Sequence, residues 1–482
     1  MRAIARARSG AVTVLTLVVT VLIADNAMAA VVGAPKLDGA LLNLFWVIPF
    51  VGVLLSIAIF PLVTPTFWHH HFGKVSAFWA VAFLGPFAVF FGYELALFEI
   101  VHVMLLEYIP FIILLLSLFT VAGGVRVTGT LRGTPEMNTA ILALGTLIAS
   151  WMGTTGAAML LIRPIINANE GRKYQVHVVV FFIFLVANIG GSLTPLGDPP
   201  LFLGFLKGVD FFWPTVNMLA PMTLVASILL VLFYGVDRFL YAREDESIRD
   251  RRDDPDSPKI GLEGKINILL LVGVVGAVLL SGVWKPGIEI VIYYVQWELQ
   301  NIVRDLLLLG IAFLSWKVTS LNSRQANGFS WFPILEVGKL FAAIFLTIIP
   351  AIAILKSGAD GVLAPVINAV SNEAGEPVNM AYFWLTGILS SFLDNAPTYL
   401  VFFNTAGGDA QTLMGPLQNT LLAISAGAVF MGANTYIGNA PNFMVKAIAE
   451  ERGIPMPSFF GYMAWSVVIL MPLFVLVGFV YF

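Results

Sequence analysis

The stretch that decides the fold is Asn188–Phe202, NIGGSLTPLGDPPLF, which directly follows the apolar run HVVVFFIFLVA at residues 177–187. It contains three glycines, three prolines and one aspartate, although its position predicts the middle of a membrane-spanning helix. Breaks in a helix at membrane depth are tolerated only where the unpaired backbone groups face protein, water or a bound solute. The stretch therefore predicts an unwound segment beside a polar site.

The composition of the whole chain indicates an integral membrane protein. Of its 482 residues, 59% are hydrophobic and only 11% are charged, which is more apolar side chain than one soluble core can bury. The apolar segments lack the alternation of a lipid-facing barrel, so we expect an all-α polytopic membrane protein with about 10 full spans. The lipid bilayer is an expected partner and nucleic acid is not. The absence of cysteine excludes disulfides and thiolate sites.

The first residues have the pattern of a targeting segment. Residues 1–29 contain three arginines, then an apolar run, then small residues, which is typical of a cleaved secretory signal peptide. A retained short anchor helix is the alternative. Either interpretation puts residues 30–39 outside the cytoplasm and predicts a bacterial-type inner (plasma) membrane.

A long charged stretch divides the chain into two halves. Because polar linkers mark domain boundaries, YAREDESIRDRRDDPDSPKIGLEGK predicts a first repeat at residues 30–240, a cytoplasmic linker at 241–265 and a second repeat at 266–482. Most lysines and arginines then fall in inside loops, as the positive-inside rule requires. The exceptions are Lys36, Lys207, Lys285, Arg304 and Lys356. Each half has an odd number of crossings, so the halves are expected to be inverted.

Each half also contains a hairpin and a broken helix. Residues 138–168 and 381–406 are expected as re-entrant hairpins, and residues 176–206 and 418–449 as broken spans. A constant shift of 241 residues, from Ser150 to Ser391, overlays GSLTPLGDPPLF on GANTYIGNAPNF without a gap. Inverted repeats of this kind place their broken ends together near the midplane, where we expect the substrate site. Kinks that only help the helices pack are the alternative.

Hydroxyl, amide and carboxylate side chains concentrate in these four segments. Their oxygens suit sodium coordination, and their hydroxyl and amide groups also suit a carboxylate ligand, so the sequence leaves both uses open. The candidate ion- or substrate-binding residues are Thr154, Thr155, Asn188, Thr194, Asp198, Ser390, Ser391, Asp394, Asn395, Thr398, Asn434 and Thr435.

Asp198 and Asp394 are the most informative candidates, because ionisable groups within a membrane are costly and mark functional sites. A carboxylate that loses its proton when a cation arrives, and regains it when the cation leaves, is a minimal exchange site. Sodium, a proton or both are therefore the expected coupling ions, with these two residues as the candidate sodium site and with no other cofactor. Each aspartate also suits a helix N-cap, which is the structural alternative.

Three other groups of polar residues lie outside the repeat motifs. The first group consists of Glu94, Glu99, His102 and Glu107. Glu99 and His102 share a helix face and could relay protons, but their place near the outer end of a span favours a solvated mouth. Arg163 either balances an anion or reaches the cytoplasmic surface. The run WHHHFGK, Trp68–Lys74, is expected in a short interfacial loop, with metal binding as the alternative.

The motifs together resemble the ion transporter superfamily, whose branches include NhaD-type sodium/proton antiporters, arsenite permeases and citrate or dicarboxylate carriers. The resemblance rests on GTTGAAMLLIRPI, LDNAPTYL, NIGGSLTPLGDPP and MGANTYIGNAPN, and it covers nearly the whole chain after the signal. It implies a homodimer. It also implies an ion-binding role for Asn188, Asp198, Ser390, Asp394 and Asn395.

Two transport functions remain open. A sodium/proton antiporter is favoured by Asp198 and Asp394, although Thr154 and Thr155 stand where antiporters of this superfamily carry paired acids. A cation-coupled carrier of citrate, a dicarboxylate or another oxyanion is favoured by the hairpin hydroxyls and amides and by Arg163. The expected partner is thus an inorganic cation or a small organic anion. We expect no enzyme, because the sequence contains no nucleophile elbow or metal-ligand constellation.

Overall fold

The computed structural model describes residues 33–129, 131–249 and 260–482. The expected signal peptide, residues 1–29, and the middle of the charged linker lie outside these residues. Within the described part, the chain is mostly helical and has nine helices that are long and apolar enough to cross a membrane. The prediction of an all-α polytopic membrane protein is confirmed.

The first half of the chain contributes five of these membrane-crossing helices. They are Leu44–Val63, Pro65–Phe91, Tyr93–Ala122, Val176–Leu193 and Trp213–Tyr241. The first hairpin precedes the fourth of them and consists of helices Pro135–Met152 and Thr154–Ala168. The first broken helix consists of an α-helix at Val176–Leu185, a 3-10 turn at Ile189–Leu193 and the half-helix Pro199–Leu206.

The second half contributes the other four. They are Ile266–Val283, Leu299–Val318, Phe332–Lys356 and Phe459–Tyr481. The second hairpin consists of helices Asn379–Phe392 and Asn395–Thr405. The second broken helix consists of Gln418–Met431, a 3-10 turn at Gly432–Asn434 and the half-helix Ala440–Glu451. Both breaks therefore fall where the repeated motif predicts them.

Short elements connect these helices. The short α-helices are Glu246–Arg249, Leu321–Ala326, Ala364–Ala369 and Ala410–Met414. Strand Arg126–Thr128 pairs antiparallel with Gly261–Glu263, and Glu289–Ile292 pairs antiparallel with Val295–Glu298. The pairing of Arg126–Thr128 with Gly261–Glu263 joins the segment after helix Tyr93–Ala122 to the last residues of the charged linker. These two segments therefore lie at the same end of the bundle.

We call that end the linker end. Asn327 also lies there, because its Nδ2 donates to the carbonyl oxygens of Gly123 at 3.1 Å and Val125 at 2.6 Å. At the opposite end, the hydroxyl of Tyr293 donates to the carbonyl oxygen of Glu94 at 3.5 Å.

The first broken helix is the most deeply placed element. Its opening turns are apolar on every side, and the side chains from His177 to Leu185 are all buried, as expected of a helix surrounded by other helices. A buried ionic cluster anchors its start: Asp237 Oδ1 lies 2.5 Å from Arg172 Nη2 and 2.8 Å from His177 Nε2. Asn138 of the first hairpin donates to Asp237 Oδ2 at 2.8 Å, so the hairpin and the broken helix share this anchor.

One expectation about local structure is wrong. Trp68–Lys74 does not form a loop, because these residues lie inside the helix Pro65–Phe91, which begins two residues after Val63. Pro65 is at the first position of the helix, where its fixed φ and missing N–H are tolerated. The three histidines therefore lie in the first turns of a membrane-crossing helix.

Candidate functional site

The hairpin tips and the broken helices meet inside the bundle. The first hairpin turns at Gly153, whose φ of 80° is a conformation that favours glycine. Directly after this turn, the amide nitrogen of Thr154 donates to the carbonyl oxygen of Gly197 at 2.8 Å. The second hairpin turns between Phe392 and Asn395. Asn395, the first helical residue after this turn, reaches the first broken helix through its side chain.

Asp198 is the carboxylate on which these segments converge. It is buried, with 1% of its surface exposed. Its Oδ1 accepts hydrogen bonds from Thr154 Oγ1 at 3.1 Å and Asn439 Nδ2 at 2.9 Å, and its Oδ2 accepts one from Asn395 Nδ2 at 2.5 Å. These donors belong to the first hairpin, the second broken helix and the second hairpin. Although Asp198 precedes the half-helix at Pro199, its side chain caps none of the backbone amides of that helix.

A cavity of about 510 Å³ extends from this point towards the linker end. Asp198, Asp394, Thr155 and Asn439 line it together with Thr154, and most of the remaining wall is aliphatic or aromatic. No lysine or arginine of the described residues lines it. The cavity therefore presents carboxylates, two threonine hydroxyls and an amide to a solute, without a lysine or arginine of the described residues opposite them.

Asp394 differs from Asp198 in its surroundings. It is half-buried, and its Oδ1 accepts a hydrogen bond from the amide nitrogen of Ala396 at 3.1 Å, which is the N-cap that the sequence allowed. Its Oδ2 makes no hydrogen bond with a described residue and belongs to a side chain that lines the cavity. Capping and ion binding are thus compatible at this residue.

Three asparagines join the two broken helices. Asn188 Nδ2 donates to Asn442 Oδ1 at 2.7 Å, and Asn439 Nδ2 lies 3.3 Å from Asn188 Oδ1. Asn442 Nδ2 in turn donates to the carbonyl oxygens of Gly432 and Thr435, each at 2.9 Å. These amides bind backbone groups that the breaks leave without helical partners, as burial in a membrane requires.

The two breaks are held by the same pair of contacts. Thr194 Oγ1 donates to the carbonyl oxygen of Ser150, and 241 residues later Thr435 Oγ1 donates to that of Ser391 at 2.5 Å. Each threonine oxygen also accepts from an amide nitrogen two residues on, at 3.2 Å in both cases. These two predicted site residues therefore stabilise the breaks and do not line the cavity.

The other predicted residues of the second half mostly bind the protein itself. Ser390 Oγ donates to Ala428 O at 2.6 Å, and Thr398 Oγ1 donates to the carbonyl oxygen of Asp394 at 3.0 Å. Ser391 Oγ accepts from Asn434 Nδ2 at 2.9 Å. The structure thus brings Thr154, Thr155, Asp198, Asp394 and Asn395 to the centre. The remaining predicted residues form the layer that supports them.

Three residues of this centre are missing from the sequence-based site. Asn439 and Asn442 provide the amides described above. Ser150 Oγ donates to Gly190 O at 2.5 Å and accepts from the amide of Leu193 at 2.9 Å. The internal repeat contained a signal for Asn439, because Asn439 is the residue that falls on Asp198 at the repeat offset.

The residues outside the repeat motifs lie away from this centre. Glu107 is buried in a π-helical turn, Met104–Tyr108, and its Oε1 lies 2.5 Å from Lys207 Nζ, so the expected solvated position is wrong for this residue. Glu99 and His102 are half-buried near the opposite end of the bundle. Arg163 packs against Gly328 at the linker end and does not line the cavity. Its guanidinium is therefore not placed to bind an anion there.

The centre offers oxygen ligands to a cation. Besides the two carboxylates, Asn395 Oδ1 at the centre and Asn434 Oδ1 in the supporting layer are buried oxygens without a hydrogen-bond partner among the described residues. Buried acceptors are normally satisfied, so each has capacity for a ligand atom. Carboxylate and amide oxygens suit a hard cation, and each carboxylate can also hold a proton.

Comparison with known proteins identifies relatives of the chain. The model of a family described as "Putative citrate transport" matches residues 39–482. The chain is also similar to an uncharacterized transporter of Mycobacterium bovis and to one of Mycobacterium tuberculosis. Each is 25% identical to it over 376 residues, which cover 72% of this chain and 79% of the relative.

Proposed function

The chain belongs to the family described as "Putative citrate transport", and on that premise we propose that this membrane transporter is a secondary active sodium/proton antiporter. In this proposal the two ions use the same carboxylates by turns, and the protein works by alternating access.

One observation carries the proposal: Asp198 joins all four repeat segments and lines a cavity without lysine or arginine among its described residues. A bound sodium ion would replace the proton on Asp198 or Asp394. Departure of the ion would let the proton return. Competition of this kind couples the two fluxes without a separate linkage between sites.

The same contacts explain how ion binding at Asp198 would affect both halves of the chain. Thr154, Asn395 and Asn439 each donate to Asp198 from a different segment. A change of charge on that carboxylate alters three charge-assisted hydrogen bonds together, each of which contributes about 1.5–3 kcal/mol. Ion binding and release at one residue would therefore shift the balance between two packings of the hairpins.

The test is a sodium pulse applied to proteoliposomes that contain a pH-sensitive dye. The proposal expects proton movement on addition of sodium with no organic anion present, and none in vesicles without protein. Citrate and succinate uptake is measured on the same vesicles. An unchanged dye signal while either anion accumulates would refute the antiporter proposal.

A second candidate function is a cation-coupled carrier of citrate, a dicarboxylate or another oxyanion. The description of the family favours it. The hydroxyl of Thr155, on the cavity wall, could donate to a carboxylate substrate. In that case an anion would stabilise the purified protein, and Asp394→Asn would retain some anion binding.

The setting of the transporter follows from the same interpretation. We place it in a bacterial-type inner membrane as a homodimer, with the charged linker and hence the linker end of the bundle in the cytoplasm. Residues 30–240 and 266–482 would then be the inverted repeats. Protease access to the linker in inside-out vesicles, but not in right-side-out vesicles, tests this orientation.

A further inference from the structure

The mouth of the central cavity contains a histidine that the exchange mechanism has not used. His69 lies in the second turn of helix Pro65–Phe91 and lines the same cavity as Asp198 and Asp394. Its side chain is exposed, near the start of this helix at the linker end. The cavity therefore has a titratable side chain at its entrance as well as two at its inner end.

The two neighbouring histidines are placed differently. His70 Nδ1 bonds the carbonyl oxygen of Thr66 at 2.8 Å, and His71 Nδ1 bonds that of Phe67 at 3.1 Å, so each ring is tied to its own helix. His69 has no such bond with a described residue, and neither His70 nor His71 lines the cavity. Of the three histidines, His69 is thus the one that lines the cavity and whose ring is not bonded to the helix backbone.

Contacts with the facing helix hold the His69 ring in place. Its ring stacks on Phe332, with 4.6 Å between ring centroids and 14° between ring planes. Glu336 lies one turn beyond Phe332, on the same face of helix Phe332–Thr347, and it also lines the cavity. An imidazole with free nitrogens and a carboxylate therefore stand on opposite sides of one entrance.

The other charged groups near this entrance are occupied elsewhere. Lys339 follows Glu336 on the same helix, and its Nζ lies 5.3 Å from the centre of the Phe72 ring. Lys446, on the half-helix that forms another wall, is 2.7 Å from both carboxylate oxygens of Glu450. No group of three or more metal-binding side chains occurs among the described residues, so a pair at the entrance suits a proton better than a metal ion.

We propose that His69, with Glu336 on the facing helix, is a proton-transfer station at the mouth of the cavity. A proton from water at the linker end binds a ring nitrogen of His69. The N–H bond then breaks as the proton passes to Glu336, or through cavity water to Asp394, where an O–H bond forms and neutral imidazole remains. The reverse sequence releases a proton. A cavity of about 510 Å³ has room for the connecting water molecules.

The inference rests on the proposed function and assigns a residue for its proton path. Imidazole is suited to this step because it can accept a proton at one ring nitrogen and donate one from the other. The station touches neither sodium ligand, so its loss should slow proton delivery and leave sodium binding unchanged.

The test compares His69→Gln with the matched variants His70→Gln and His71→Gln. The initial rate of radioactive sodium uptake is measured in proteoliposomes at saturating sodium, with equal pH on both sides, from neutral to alkaline pH. We expect His69→Gln to lose roughly tenfold in rate at alkaline pH, where hydronium is scarce, and the two controls to behave as the wild type.

Chemical rescue separates a proton-transfer role from a structural one. Imidazole buffer on both sides should restore His69→Gln, whereas a bulky buffer of equal capacity should not. A wild-type pH profile in His69→Gln, an equal loss in the controls, or a loss that imidazole does not restore would overturn the station. A wild-type protein without sodium-driven exchange would instead refute the proposed function itself.

Discussion

Replacement of Asp198 by asparagine removes the charge at the centre of the site and changes little else. The carboxylate accepts from Thr154, Asn395 and Asn439 in the native protein. An asparagine keeps one acceptor oxygen, which can serve Thr154 and Asn439. Its new amide group faces Asn395, whose Oδ1 has no partner and can turn inward to accept. A complete, neutral hydrogen-bond set is therefore available to Asp198→Asn.

The three hydrogen bonds to Asp198 set the size of the stability loss that we expect in Asp198→Asn. Exchange of a charge-assisted for a neutral hydrogen bond costs about 1 kcal/mol, so three such bonds cost at most about 3 kcal/mol. Relief of the buried charge offsets part of this cost. We therefore expect Asp198→Asn to fold and to reach the membrane, but to catalyse no sodium/proton exchange above the level of empty vesicles.

Sodium-dependent thermal stability of the purified protein is the assay that separates binding from folding. Sodium at a hundred times its dissociation constant should stabilise the wild type by about 2.7 kcal/mol and leave Asp198→Asn unchanged. The matched control is the double variant Asp198→Asn with Asn439→Asp, which moves the carboxylate to the equivalent position of the other repeat. We expect this exchange to restore part of the sodium response. Full transport by Asp198→Asn at saturating substrate would refute the site.

Three further predictions test other parts of the account. Asp394→Asn should abolish transport in the dye assay while Asp394→Glu keeps a measurable rate, because the role requires an ionisable oxygen on the cavity wall; equal loss in both would contradict it. Gly197→Ala should yield little folded protein by size-exclusion chromatography, since an added Cβ would collide with the carbonyl oxygen of Gly191, whereas Gly85→Ala meets no atom within 4 Å and should behave as the wild type. Arg163→Gln should leave transport rates unchanged, because Arg163 lies outside the cavity; loss of citrate uptake in this variant would instead favour the anion carrier.

The repeat was the part of the site most accessible from sequence. A single offset places Ser150 on Ser391 and Thr194 on Thr435. In the structure each threonine donates to the carbonyl oxygen of the serine in its own half. Breaks in membrane helices need such partners for their backbone groups, so residue types at the breaks are constrained and recognisable.

The long-range contacts of the site were less accessible. Asn188 bonds Asn442 across 254 residues of sequence, and no local pattern indicates which amides of the two halves will meet. The repeat offset shows that Asn439 is equivalent to Asp198, but it does not show that the two side chains are in contact. In the structure, Asn439 donates a hydrogen bond to Asp198. Two positions separated by the repeat offset therefore touch each other in the structure.

The histidine run shows a different limit. A polar segment between two apolar runs was interpreted as a loop, but Pro65 starts a helix that continues through His69. Hydropathy locates the part of a helix inside the membrane and says little about its extension into the interface. For the same reason, the sequence did not place His69 on the wall of the cavity.

The most direct test of the central claim is whether sodium displaces a proton from the purified protein. Calorimetric titration with sodium chloride in buffers of different ionisation enthalpy measures the protons released for each sodium ion bound. We expect proton release by the wild type and none by the variant that lacks both Asp198 and Asp394 carboxylates. Sodium binding without proton release, or proton uptake that requires citrate, would contradict it.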